Sequence, residues 1–358
     1  MIVDGQHIQS LSYDPQHDVV QVIDQTLLPH QFRLASLASL EQVCHAIRSM
    51  QVRGAPLIGV TAAYGLYFAL RDDPHALQSA TEQLLATRPT AVNLRWALQR
   101  VSAELNDVDP DRRARQALDL AQVMEHEDIA ICEAIGEQGA AALKAYWQEQ
   151  GATAPFNILT HCNAGALATV DWGTALAVVY KLAEADVPVH VWVDETRPRN
   201  QGAALTCWEL AQAAIDHTLV VDNAGGHLMQ EGRVDLCLVG ADRVTAQGDV
   251  CNKIGTYLKA LAADDNQLPF YVAVPVSTID FNTLIEDIPI EERGPEEILE
   301  LVGIDVESRM TTVRHAPSNT MVSNYGFDIT PARLVTGIIT EQGVFEASAE
   351  GLAGLVQR

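Results

Sequence analysis

Apolar runs of strand length recur through the second half of the chain, and each ends in polar or reactive side chains. FNILTHC (156–162) ends on His161 and Cys162 and leads into Asn163-Ala164-Gly165. VPVHVWVDE (187–195) ends on Asp194 and Glu195, with Thr196-Arg197-Pro198-Arg199 beyond it. TLVVDN (218–223) ends on Asp222 and Asn223, VDLCLVGAD (234–242) on Asp242 before Arg243, and PFYVAVPVS (269–277) on Ser277 before Thr278. Ligands of open parallel sheets bind outside the carboxyl ends of the strands. Any one of these residues could merely cap a helix; the set, with a thiol and several cations, reads as one site. Most free cysteines are small buried hydrophobes, and Cys44, Cys132, Cys207 and Cys237 are read so. Cys162 differs. It stands where a strand gives way to a Gly/Ala-rich segment expected to start a helix, and a thiol there has a lowered pKa and acts as nucleophile or base. Asp242 stands at the mouth of a strand buried on both faces. Partial desolvation there raises a carboxyl pKa and suits an acid or base near neutral pH. Asp194 and Asp222 are candidates for orienting roles.

The cations gather at turns. Arg53 precedes Gly54-Ala55, with Pro56 suited to a first helical turn. Arg88 precedes Pro89, with Arg95 further along; Arg197 and Arg199 flank Pro198; Lys253 lies in GDVCNKIGTY. Small residues admit a ligand close to the backbone, helix N-termini favour anions, and an added arginine or lysine makes a phosphate cradle. The chain as a whole is acidic, with 47 Asp+Glu against 23 Lys+Arg and a formal net charge of -24. Nucleic acid and anionic membrane demand a cationic face and are excluded as main partners; a small anion is not. No G-x-G-x-x-G follows a strand, no P-loop occurs, and the histidines show no metal-ligand spacing. No cofactor and no metal are expected. The residues describe an α/β enzyme that handles a small phosphorylated molecule with a Cys and an Asp, and they leave its reaction open.

Several elements must position these groups. VVQVIDQTLL (19–28) reads as a strand with FRLA a partner, LEQVCHAIRSM (40–50) as an amphipathic helix, and further helices follow RGAP and Asp109. GATAPFN (151–157) marks a change of style. Residues 1–150 are expected to form a mainly helical domain with short strands. In 151–358, strands alternate with helix-like stretches such as ATVDWGTALAVVYKLAEA and AALTCWELAQAAI, which predicts a doubly wound parallel sheet covered on both faces. No apolar run reaches membrane-spanning length, no secretory signal is visible at the N-terminus, and the six scattered cysteines lack a C-x-x-C pair. The expectation is a cytoplasmic protein without disulfides.

Several stretches resemble the S-methyl-5-thioribose-1-phosphate isomerase family of methionine salvage. They are VRGAPLIGVTAAYGL (52–66), RPTAVNLRWAL (88–98), ILTHCNAGALATVDWGTAL (158–176), VDETRPRNQGAALTCWEL (193–210), DNAGGHLM (222–229), VGADRVTAQGDVCNKIGTY (239–257), PFYVAVPVSTID (269–280), IPIEER (288–293) and FDITPA (327–332). They run in the family's order over most of the chain. The resemblance implies a Rossmann-like catalytic domain without a nucleotide behind a smaller N-terminal domain, and a homodimer. It implies interconversion of 5-methylthioribose 1-phosphate and 5-methylthioribulose 1-phosphate, an intramolecular oxidoreduction. Carried over by motif, Cys162 and Asp242 are the catalytic pair, and Arg53, Gly54, Ala55, Arg88, Gln201, Asn252 and Lys253 bind the substrate. Asp242 would protonate the ring oxygen during opening. Cys162 would assist transfer at C2, as base towards an enolate or by stabilising a hydride shift, and both routes stay open. The chain departs from the family pattern at Asn200, Ala204 and Cys251 and along HAPSNTMVSNYGFD (315–328). These departures touch the pocket wall and leave room for a related substrate, 5-deoxyribose 1-phosphate or ribose 1,5-bisphosphate. A non-catalytic regulatory subunit of the translation-initiation exchange factor shares the architecture and is the remaining alternative.

Overall fold

The first helix is set by Ser39, whose side chain accepts the Gln42 N–H and opens Leu40–Ser49. The computed structural model describes residues 1–88 and 92–355; residues 89–91, inside RPTAVNLRWAL, and 356–358 lie outside the described residues. Ahead of that helix, Val19–Ile23 pairs antiparallel with Leu34–Leu37, and an additional strand, Leu11–Asp14, pairs with its other edge. Helix Ala55–Asp72 is buried almost throughout and carries Pro56 in its first turn. It packs with Leu77–Leu85, Val92–Leu105 and the first half of the long helix Pro110–Glu149 around Tyr64, Phe68, Leu98 and Leu118. The second half of that long helix turns Ile135, Ala140 and Leu143 to a different core, on the face of a large sheet.

That sheet has seven strands, in the order Gly343–Phe345, Gly337–Thr340, Phe270–Ala273, Leu236–Val239, Phe156–Thr160, Val189–Asp194, His217–Val220. All pairings are parallel except the first, which is antiparallel. Side chains alternate between two cores. Ile158, Val191, Leu236 and Leu238 face one, and Leu159, Cys237, Val239 and Val272 face the other. Burial on both faces is why these strands are almost wholly apolar in sequence. The α/β class and parallel sheet expected from the alternation are observed. A second, four-stranded sheet was not expected. It orders Ile279–Asp280, Arg243–Thr245, Val250–Lys253 and Phe327–Thr330, and it grows from the loop after Leu236–Val239. No helix among the described residues is long and apolar enough to cross a membrane.

Asp128, buried on the long helix, accepts the Val170 N–H at 2.7 Å and so fastens the loop beneath the sheet's carboxyl edge. Burial pushes its carboxyl up to about 7, against the pull of that hydrogen bond. A carboxyl whose folded value lies above its unfolded value stabilises fully only below the unfolded value, and that contribution is lost as pH rises through the folded one. Between roughly pH 4 and pH 7 stability therefore falls on this account. Asp128→Asn keeps an oxygen for Val170 and removes the titration. The variant is expected to gain a few kcal/mol at most on the wild type between pH 5 and pH 8, read as a difference in thermal midpoints. An equal difference at both pH values would refute the assignment.

Candidate active site

Phe156–Thr160 comes first in the chain among the seven strands and lies near the middle of the sheet. The next two strands build outward on one side, and Leu236–Val239, Phe270–Ala273 and Gly337–Thr340 build outward on the other. The crevice of a doubly wound sheet opens at this reversal. Cys162 lies two residues beyond Thr160 and Asp242 three beyond Val239. Topology alone therefore brings together two groups eighty residues apart in the chain, and both line one cleft.

The segment after Cys162 is not the start of a helix. It loops through a short 3₁₀ turn at Ala166–Ala168, and the α-helix begins only at Ala175. A bridge between Gly165 and Gly173 closes this loop on itself. Cys162 itself adopts a left-handed backbone, with φ +69°, a conformation that costs a non-glycine residue about 1–3 kcal/mol unless its surroundings hold it. Two hydroxyls do so. The Cys162 N–H donates to Thr196 Oγ1 at 2.8 Å, and Thr206 Oγ1 donates to the Cys162 carbonyl at 2.7 Å. Thr206 ends a π-helical turn, Gly202–Thr206, at the head of what read as a plain α-helix; such turns often mark functional sites. The expected lowering of the thiol pKa is corrected as well. Burial pushes the Cys162 thiol up, and the Arg53 and Lys253 charges only partly offset this. Asp242 is also pushed up by burial, against the pull of Lys253, Arg88 and Arg53. The Asp242 charge adds to the rise at Cys162, and the Glu291 charge adds to the rise at Asp242.

The cations meet the pair in the same cleft. Arg53, only 8% exposed, and Gly54 and Ala55 enter at the start of helix Ala55–Asp72. Gly54 has φ +95°, and a Cβ there would overlap the backbone of Ala168, so only glycine brings this helix start against the Cys162 loop. Lys253 and Asn252 come from strand Val250–Lys253 of the second sheet, both buried. The Lys253 ammonium donates to the Gly326 carbonyl at 2.7 Å and lies 4.8 Å from the centre of the Phe327 ring. Burial draws the Arg53, Arg88 and Lys253 charges down in pKa, while Cys162 or Asp242 opposes it in each case. Arg88 lies 3.8 Å from Glu291. Its Nε and the Oε1 of Gln201 are buried without a hydrogen-bond partner among the described residues. Such bare groups at a cleft are what a polar ligand satisfies.

Thus Arg53, Gly54, Ala55, Arg88, Cys162, Gln201, Asp242, Asn252 and Lys253 all line one cleft, and Arg199 joins them. Arg197 does not: its guanidinium holds the Ile298 carbonyl at 2.9 Å. Arg243 pairs with Asp280 at 3.4 Å. Asp194 and Asp222 stand behind the wall. His161 bridges Asp194 and the Ile254 carbonyl, at 2.9 and 2.8 Å, and so ties the turn after Lys253 to the end of strand Val189–Asp194. Asp222 accepts the N–H groups of Thr196 and Arg197, both at 2.7 Å. The ligand atoms of His161, Asp194 and Asp222 lie within 4.8 Å of one another. The Lys259 ammonium, 3.2 Å from Asp194, already supplies a cation there. Met50, Arg293 and Phe327 line the cleft and were not singled out in the sequence; Arg293 was visible only as the last residue of IPIEER. Of the departures, Asn200 has φ +58°, which asparagine tolerates better than most residues. Asn200 and Ala204 line a neighbouring cavity that shares Met50, Arg53, Arg199 and Gln201 with the cleft. Cys251 is buried and offers its carbonyl to the Asp242 N–H at 3.0 Å.

The Initiation factor 2 subunit family matches residues 51–347. A methylthioribose-1-phosphate isomerase from Rhodospirillum centenum is 55% identical, over 99% of this chain and 96% of its own length. Among solved structures, 5-methylthioribose 1-phosphate isomerase from Pyrococcus horikoshii superposes with a TM-score of 0.81 at 37% identity, covering 97% of this chain and 95% of that one. Translation initiation factor eIF-2B subunit delta from A. fulgidus is similar too, with a TM-score of 0.78 at 39% identity over 95% of this chain and 96% of that one. The chain belongs to the Initiation factor 2 subunit family and, within it, to the methylthioribose-1-phosphate isomerases.

Proposed function

We propose that this protein interconverts 5-methylthioribose 1-phosphate and 5-methylthioribulose 1-phosphate, with Cys162 and Asp242 as the catalytic pair. The observation that carries the proposal is the meeting of a half-buried thiol and a half-buried carboxyl with Arg53, Arg88 and Lys253 in one cleft. The cations and the helix start at Gly54-Ala55 take the phosphate. The anomeric oxygen of this sugar is locked as a phosphate ester, so ring opening cannot release a free aldehyde. Asp242, raised in pKa by burial, delivers a proton to the ring oxygen as the bond from C1 to that oxygen breaks. The hydrogen on C2 then passes to C1, and the C2 hydroxyl loses its proton as the ketone forms. Asp242 recovers that proton and the site is reset. Cys162 faces the transfer, as base or as a polarisable wall. The buried surroundings keep water from the intermediate. The same family reading makes the enzyme a cytoplasmic homodimer.

The substrate is tested by turnover of three sugar phosphates side by side. The methylthio sugar is expected to exceed 5-deoxyribose 1-phosphate by about 10- to 100-fold in kcat/KM, the worth of one small apolar group. Ribose 1,5-bisphosphate is expected to be poorer still. Equal or better turnover of the bisphosphate would overturn the substrate assignment. The likeness to the initiation-factor subunit from A. fulgidus favours a second, non-catalytic reading; absence of turnover with all three sugars would support that one instead.

A further inference from the structure

We propose that Glu209, behind the wall of the cleft, is a positioning residue that fixes Arg53 for the substrate phosphate by way of Asn163. The inference rests on the reading of Arg53 as a phosphate group. Arg53 is nearly buried, and its Nη2 donates twice to one residue, to the Asn163 carbonyl at 2.9 Å and to Asn163 Oδ1 at 2.7 Å. On its other side the Asn163 amide nitrogen donates to Glu209 Oε1 at 2.8 Å. A guanidinium only donates and a carboxylate only accepts. The amide must therefore point its oxygen at Arg53 and its nitrogen at Glu209. Either neighbour alone fixes this orientation, and together they make Asn163 a polarised link between a buried cation and a buried anion.

Glu209 is itself held from several sides. It accepts the N–H groups of Ala166 and Leu167 at 2.7 and 3.2 Å and the Tyr180 hydroxyl at 3.0 Å. Burial pushes the Glu209 carboxyl up, and the hydrogen bonds from Asn163, Leu167, Tyr180 and Ala166 pull against it in favour of the ionised form. Two of these donors are backbone groups of the loop that follows Cys162, so one side chain sets both that loop and the orientation of Asn163. Gly165 completes the arrangement, because a Cβ there would run into the Glu209 carboxylate. The order Asn163-Ala164-Gly165 is thereby explained: an amide to carry the link, then a residue small enough to let the carboxylate in. The anion also balances the Arg53 charge within the protein interior, where a lone cation is costly. Arg53 is thus already in place before phosphate arrives, so little ordering has to accompany binding.

The test uses the purified full chain and reads KM, kcat, thermal midpoint and the inhibition constant of inorganic phosphate. Glu209→Gln keeps the shape and an acceptor oxygen but loses the charge. It is expected to raise both KM and the phosphate constant by roughly 10- to 100-fold, the scale of a slightly misplaced binding group, with kcat changed far less. In an Arg53→Lys background the same substitution is expected to add little, because the group it positions has gone. A Glu209→Gln protein with a lowered midpoint and unchanged constants would overturn the proposal, as would an effect that adds in full to that of Arg53→Lys. If Arg53→Lys alone leaves the phosphate constant unchanged, the reading of Arg53 falls first and takes this proposal with it. Should Glu209→Gln not accumulate as folded protein, Asn163→Ala cuts the link with Glu209 intact and is expected to shift the same two constants.

Discussion

Asp242→Asn is expected to lower kcat by about 100- to 10,000-fold, the usual worth of a positioned general acid, without loss of fold. The carboxamide has the same shape, and the backbone N–H of this residue still reaches the Cys251 carbonyl. What it cannot do is give up a proton to the ring oxygen. The ionised carboxylate is also an anion among the cations Lys253, Arg88 and Arg53. Removing it leaves those three to the substrate phosphate alone, so inorganic phosphate is expected to bind as tightly as in the wild type or more tightly. A fall in turnover together with unweakened phosphate binding separates loss of an acid from general damage to the site. The pH dependence follows in sign. The acid must be protonated, its value lies above that of an ordinary carboxyl because of burial, and activity is expected to fall as pH rises through it. The asparagine variant lacks that limb. Near-normal turnover in Asp242→Asn, or a fall in phosphate affinity that matches the fall in kcat, would count against the role.

Cys162→Ala is expected to cost a similar factor, at least about 100-fold in kcat, with a thermal midpoint close to that of the wild type. The left-handed backbone at this position is held by the Thr196 and Thr206 hydroxyls, and both of their bonds go to the backbone. The side chain can therefore be shortened without releasing the loop. Cys162→Gly goes further, because glycine adopts φ +69° without strain; it is expected to be no less stable than the alanine variant and equally inactive. A thiol kept in a strained conformation by its neighbours is the mark of a group placed for use rather than for packing. Substantial activity in both variants would show instead that the cleft needs only its cations and Asp242.

Much of this was legible because the sheet writes itself into the sequence. Strands buried on both faces must be apolar throughout, so FNILTHC and VDLCLVGAD stand out, and their polar ends mark the carboxyl edge. The turn at Arg53-Gly54-Ala55-Pro56 was equally readable, since a proline in the first turn and a glycine before it are local signals. The segment after Cys162 misled. Its small residues suit a helix, yet they serve a closed loop in which Gly165 must admit the Glu209 carboxylate, a partner forty-four residues away. Strand Val250–Lys253 escaped notice for a related reason. Its side chains at Asn252 and Lys253 are polar because they face the cleft, so no apolar alternation announces a strand. The links from His161 to Asp194 and from Asn163 to Glu209 have no local pattern at all. They exist only once the parallel crossovers have brought the strand ends side by side.

Phosphorus NMR of the purified protein with 5-methylthioribose 1-phosphate tests the central claim most directly, because the phosphate moves from an anomeric ester to a primary ester without leaving its carbon. The wild type is expected to convert the first signal into the second with no inorganic phosphate released, and the protein carrying both Cys162→Ala and Asp242→Asn is expected to leave the first signal unchanged on the same timescale. Persistence of the first signal with the wild type, or conversion by the doubly substituted protein at a comparable rate, would contradict it.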